Sequence, residues 1–75
     1  MKERAFRVLS EVMDVPLDAI SEESTAESIE SWDSLQHMNL VLALEEEFDV
    51  QFNDEHVMEI DRVSRMLEIL TSLTA

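Results

Sequence analysis

Three side chains near the middle of the chain, those of Asp33, Ser34 and His37, are the ones from which chemistry could be built. A serine with a histidine three residues further along one helical face has the makings of a nucleophile and its base. That pair alone does not make a hydrolase. A serine at the start of a helix lacks the strained turn and the oxyanion donors that acyl chemistry uses. No residue is therefore expected to be catalytic, and His37 and His56 are expected at the surface. The chain has no cysteine, which removes a thiol nucleophile, a disulfide framework and a Cys-based metal site. It has no glycine either, and an EF-hand needs a glycine turn among closely spaced Asp and Asn ligands. No metal ligands are assigned; Glu45, Glu46, Glu47 and Asp49 would at most gather divalent cations weakly, as charge relief. Taken alone, Asp33-Ser34 is a helix N-cap and Trp32 an apolar anchor for the segment before it.

These residues are placed by a series of helices. Ala5, Phe6, Leu9, Val12 and Met13 recur at spacings of three and four, which predicts an amphipathic helix over 2–13. Asp14-Val15-Pro16 ends it, since proline disfavours helical angles in the residue before it. Residues 14–33 form a long connection rich in Ser, Asp and Glu, pinned by Leu17, Ile20 and Ile29. Pro16 to Ile20 can make one helical turn with Pro16 at its first position. A loop of this length in a small domain tends to be functional. The second helix spans 34–48, with Val41, Leu44 and Phe48 as one stripe, widened by Leu40 and Ala43. Leu35, Met38 and Leu42 make a second apolar face. Such a helix is either deeply buried or has a partner, and burial on all sides is hard to arrange in 75 residues. Asp49 stands where a left-handed residue would stop this helix. Asn53 or Asp54 can cap a short third helix to Glu59 with Val57 and Ile60 inward, and Asp61 a fourth to about Leu73. In that last helix Val63, Met66, Leu67, Leu70 and Leu73 keep the spacing. The expectation is one domain, 1–75, all-α: a four-helix bundle of three longer helices and a short third, with a long loop between the first two.

A chain of 75 residues has a thin core, worth about 3–5 kcal/mol of stability. Eighteen acids face five bases, for a formal net charge of −13. From Val8 to Asp61 there are 16 acids and neither Lys nor Arg. This field repels nucleic acid and anionic membrane and attracts basic protein surfaces; on the plainer view it only confers solubility. No apolar run approaches the roughly 20 residues that cross a bilayer. The N-terminus is not a secretory signal, so a cytoplasmic protein is expected, and a chain opening on Met without a tag reads as a whole gene product.

The stretch Ile29-Glu30-Ser31-Trp32-Asp33-Ser34-Leu35, leading into Leu44-Glu45-Glu46-Glu47-Phe48, resembles the acyl carrier protein family. Asp33-Ser34-Leu35 is similar to that family's Asp-Ser-Leu motif, and Leu44 to Phe48 to the end of its second helix. The likeness covers nearly the whole chain: the first helix, the loop, Phe52 to Asp54, and Ile60 into the last helix fall at the expected spacings.

The resemblance implies that a phosphopantetheinyl transferase attaches 4′-phosphopantetheine from coenzyme A to Ser34. The arm's thiol would hold acyl groups as thioesters, with Asp33 and Leu35 flanking the site and Asp33 helping the transferase or its metal ion. It also implies that acyl-loading and acyl-transferring enzymes dock basic patches on the second helix. By position Asp33, Glu45 and Glu46 would be charged contacts and Leu35, Met38 and Leu42 apolar ones, on a monomer that neither inserts in membranes nor binds nucleic acid. Gln36 and Asn39 depart from the family's fatty-acid carriers, which are usually acidic there. The segment before the motif also departs, being one residue longer than the common Leu-Gly-Ala-Asp-Ser-Leu, with Trp32 before the aspartate. These departures resemble specialised discrete carriers of lipid, polysaccharide or secondary-metabolite pathways. Two rivals stay open: an aminoacyl or peptidyl carrier, and a helical adaptor in which Ser34 merely caps.

Overall fold

The computed structural model describes residues 1–74. Four helices follow in order: α1 (Lys2–Met13), α2 (Ser34–Phe48), α3 (Asp54–Glu59) and α4 (Val63–Thr74). Among the described residues there is no strand, and a single bridge pairs Thr25 with Arg62. The fold is the all-α bundle of three longer helices and one short one that the periodicity predicts.

Two of the helices end in the same way. Asp14 (φ 56°) closes α1 and Asp49 (φ 53°) closes α2, each in the left-handed region that glycine would ordinarily fill. At each end two consecutive N–H groups converge on one carbonyl. Asp14 and Val15 donate to Ser10 O, and Asp49 and Val50 to Glu45 O. Helix α1 thus turns at Asp14, through the cap rather than through proline's effect on Val15.

Eight large side chains with under 2% exposure make the centre: Leu9 and Met13 from α1, Leu40 and Leu44 from α2, Ile60 after α3, and Val63, Met66 and Leu70 from α4. Each such burial is worth about 1.5–3 kcal/mol, set against the entropy of ordering the chain. In α4 the buried residues are Val63, Met66, Ile69 and Leu70, with Leu67 half-buried and Leu73 exposed. The inward face is therefore rotated toward Ile69 relative to the sequence expectation. At α3, Ile60 is fully buried and Val57 half-buried.

The connection 14–33 is tied down at several points. Ile20, Ile29 and Trp32 are buried. Leu17, expected to pin the loop, is instead exposed, because the single 3₁₀ turn Leu17–Ala19 contributes no buried residue. Pro16 precedes that turn as an extended cap and is not its first residue. Ser31 Oγ donates to Met13 O at 2.7 Å. Ala26 N–H donates to Asp61 O at 2.8 Å, and Val63 N–H to Ser24 O at 3.0 Å, so the loop is stitched to the α3–α4 connection. Asp61, expected to cap α4, stands two residues ahead of Val63 with its carboxylate on Arg62 Nε at 3.1 Å.

Candidate functional site

Ser34 is the first residue of α2 and is exposed. Asp33 before it is extended (φ −103°, ψ −174°), and its Oδ1 accepts the Gln36 N–H at 2.8 Å. That bond satisfies the third N–H of the helix, and the His37 N–H begins the regular ladder on Asp33 O at 2.8 Å. The N–H groups of Ser34 and Leu35 therefore have no acceptor within the helix. Open N–H groups and the positive end of the helix dipole suit an anion carried on the serine oxygen. The Asp33 carboxylate beside them opposes an anion and would attract a cation.

Trp32 is buried at the foot of this turn. Its indole N–H donates to His37 Nδ1 at 3.0 Å, and His37 Nε2 lies 2.7 Å from the Val57 carbonyl oxygen of α3. The two rings stack with centroids 6.2 Å apart. His37 is thus half-buried and bonded at both nitrogens, not a surface residue as the sequence suggests. With both nitrogens engaged elsewhere, it is no base for Ser34. His56 also departs from the surface expectation: it is half-buried, and its backbone and ring complete a capping box with Asn53 at the head of α3.

The outward face of α2 carries Leu35 (71% exposed), Met38 (49%) and Leu42 (60%). Met58 of α3, 80% exposed, shares with Met38, Ala26 and Trp32 a cleft that opens beside Ser34. Sequence reasoning passes over Met58; the signal available was an apolar residue next to Val57 and off the inward spacing of the short helix. Glu46 is exposed, whereas Glu45 is half-buried and its Oε2 accepts the Phe52 N–H at 2.9 Å. Glu45 thereby holds the chain leaving α2, with one carboxylate oxygen committed inward. Glu47 is held by Arg4, whose Nε reaches Glu47 Oε2 at 2.8 Å and whose guanidinium lies 4.7 Å over the Phe48 ring. The neutral pair Gln36 and Asn39 bond to each other, Nδ2 to Oε1, at 2.8 Å. Among the described residues no three His, Asp or Glu side chains converge to hold a metal ion. Among the described residues no helix is long and apolar enough to cross a membrane.

Residues 4–70 match the family model described as the phosphopantetheine attachment site. The chain is 29% identical over 70 residues to an acyl carrier protein of Buchnera aphidicola subsp. Acyrthosiphon pisum, covering 93% of this chain and 88% of that one. It is 30% identical over 73 residues to an acyl carrier protein of Caulobacter vibrioides, covering 97% and 94% respectively. A small helical bundle with an exposed serine heading its second helix, matched over this length, belongs to the acyl carrier protein family. It is a carrier and not an enzyme, and its prosthetic group is covalent 4′-phosphopantetheine.

Proposed function

We propose that Ser34 is the residue that bears 4′-phosphopantetheine, and that the chain is a discrete acyl carrier of a specialised lipid, polysaccharide or secondary-metabolite pathway. The observation that carries this reading is the exposed Ser34 at the open head of α2, flanked by an exposed apolar face. The arm, when attached, supplies a thiol that carries acyl groups as thioesters. The chain's own residues do the rest. Asp33 fixes the first turn of α2 and offers a carboxylate to the transferase or its metal ion. The open N–H groups of Ser34 and Leu35 favour the phosphodiester charge. Leu35, Met38 and Leu42 offer apolar contact to loading and transferring enzymes, with Glu46 and the free oxygen of Glu45 as charged rim. Such rim charges speed encounter more than they add affinity, which suits a carrier that visits several enzymes and leaves.

The Gln36–Asn39 pair supports a specialised clientele, since it places a neutral, internally satisfied patch where fatty-acid carriers are usually acidic. A cytoplasmic, monomeric carrier is the form proposed.

The test is the intact mass of the protein before and after incubation with coenzyme A, magnesium and a broad-specificity phosphopantetheinyl transferase. Wild type gains one phosphopantetheine and Ser34→Ala gains none. A folded, unmodified wild type that gains nothing would return Ser34 to a helix cap and favour the adaptor.

A further inference from the structure

The relay from Trp32 through His37 to Val57 has no part in the attachment chemistry, yet it ends one residue from the Asp33–Ser34 turn. An indole N–H only donates and a carbonyl only accepts. With Trp32 Nε1 at 3.0 Å from His37 Nδ1, and His37 Nε2 at 2.7 Å from Val57 O, Nδ1 must be bare and Nε2 must carry the proton. The ring is therefore uncharged in this arrangement. A second proton can bind only at Nδ1, where it would set donor against donor and leave the buried indole N–H without its acceptor.

We propose that His37 is a positioning residue that holds the Asp33–Ser34 turn through Trp32 only while its ring is uncharged, so that presentation of Ser34 weakens in acid. The inference rests on the reading of Ser34 as the attachment residue.

Charged and polar groups reach the ring from three elements. The loop brings Asp33 to the cleft that His37 lines, and the α3–α4 connection brings Asp61. Both carboxylates share that cleft with the ring. The Trp32 donor occupies Nδ1, and the ring is half-buried. Helix α3 presents the Val57 carbonyl and Met58. Imidazole is the side chain whose ordinary charge change falls between about pH 5 and 8. Trp32 is otherwise fixed by burial and by its own N–H on Ile29 O at 3.0 Å. Loss of the indole bond would thus loosen the turn without unfolding the bundle.

The experiment follows the full chain by nitrogen-15 NMR from about pH 8 to pH 5, the range in which imidazole titrates, with transferase-catalysed modification measured alongside. At the alkaline end His37 Nδ1 should show the shift of a bare nitrogen and Nε2 that of a protonated one. As the ring gains its proton, the Trp32 indole resonance should move in one step with the same midpoint. In His37→Gln that step should vanish. The modification rate of wild type relative to His37→Gln should fall roughly fivefold across it, the scale of one lost hydrogen bond. Trp32→Phe, which keeps the anchor and removes the indole donor, serves as the reference if His37→Gln does not fold. A proton on Nδ1 at the alkaline end, an indole resonance indifferent to the ring's titration, or a flat relative rate would each overturn the proposal. Absence of modification at every pH in all proteins would overturn the attachment reading and the consequence for Ser34. The ring and indole resonances would then decide the relay by themselves.

Discussion

The two apolar faces of α2 are built from the same residue types and meet opposite fates. Leu40, Val41 and Leu44 are buried in the bundle, while Leu35, Met38 and Leu42, interleaved with them, lie in solvent. A leucine gains its transfer free energy only when it leaves water. The inward face therefore holds the fold together, and the outward face adds little to it. An apolar surface kept at that cost beside an open helix head is what a transient partner would cover. The difference teaches that composition along a helix does not assign roles; the neighbours do.

The largest effect that can break this comparison comes from truncating one leucine on each face. Leu44→Ala should cost about 2–5 kcal/mol, which is comparable to the whole stability of a domain this size. Leu42→Ala should stay within about 0.5 kcal/mol, as exposed substitutions do. Urea unfolding of the two variants checks it. Equal costs would show that the outward face is not an outward face in solution.

A smaller effect separates the two tasks given to Asp33. Asp33→Ala should lose about 1 kcal/mol with the cap, whereas Asp33→Asn should keep most of that stability because asparagine caps as well. If the carboxylate also serves the transferase, both variants should be modified more slowly than wild type. An Asp33→Asn protein modified at the wild-type rate would leave the residue as a cap alone.

What was legible in the sequence follows this division. The start of α2 could be read from Asp33, and its stop from Asp49, because caps are local chemistry. For Leu35, Met38 and Leu42 the sequence leaves burial and exposure both open, with exposure suggested because a chain this short can hardly cover both faces. His37 was not legible, since its partner Val57 lies 20 residues away and joins it only through the packing of α3 on α2. The bridge between Thr25 and Arg62 is hidden for the same reason, whereas the bond from Phe52 to Glu45 spans only seven residues and depends on the path the chain takes after Asp49. Leu17 misled because an apolar residue in a loop pins it only if the local turn faces the core. Asp14 is hard to recognise as a left-handed cap from sequence, because the nearby proline is itself a sufficient reason for the helix to stop.

The smallest effect concerns charge. The ion pairs Lys2–Glu22, Arg4–Glu47, Arg62–Asp61 and those of Arg65 with Glu59 and Glu68 are exposed. Exposed pairs are worth little, and they leave the stretch from Val8 to Asp61 to repel itself. Moderate salt or millimolar divalent cations should therefore raise the melting temperature by a few degrees, on the order of 0.5 kcal/mol. A melting temperature indifferent to both would mean that the acids are too dispersed to matter.

The central claim is that one serine among several in this chain, Ser34, carries the prosthetic group. Tandem mass spectrometry of the transferase-treated protein, digested to peptides, tests it most directly. Phosphopantetheine should be found on the peptide that contains Asp33-Ser34-Leu35, on Ser34 itself, and on no other peptide. The group found on Ser31 or any other residue, or a Ser34→Ala protein that still acquires it, would contradict the account.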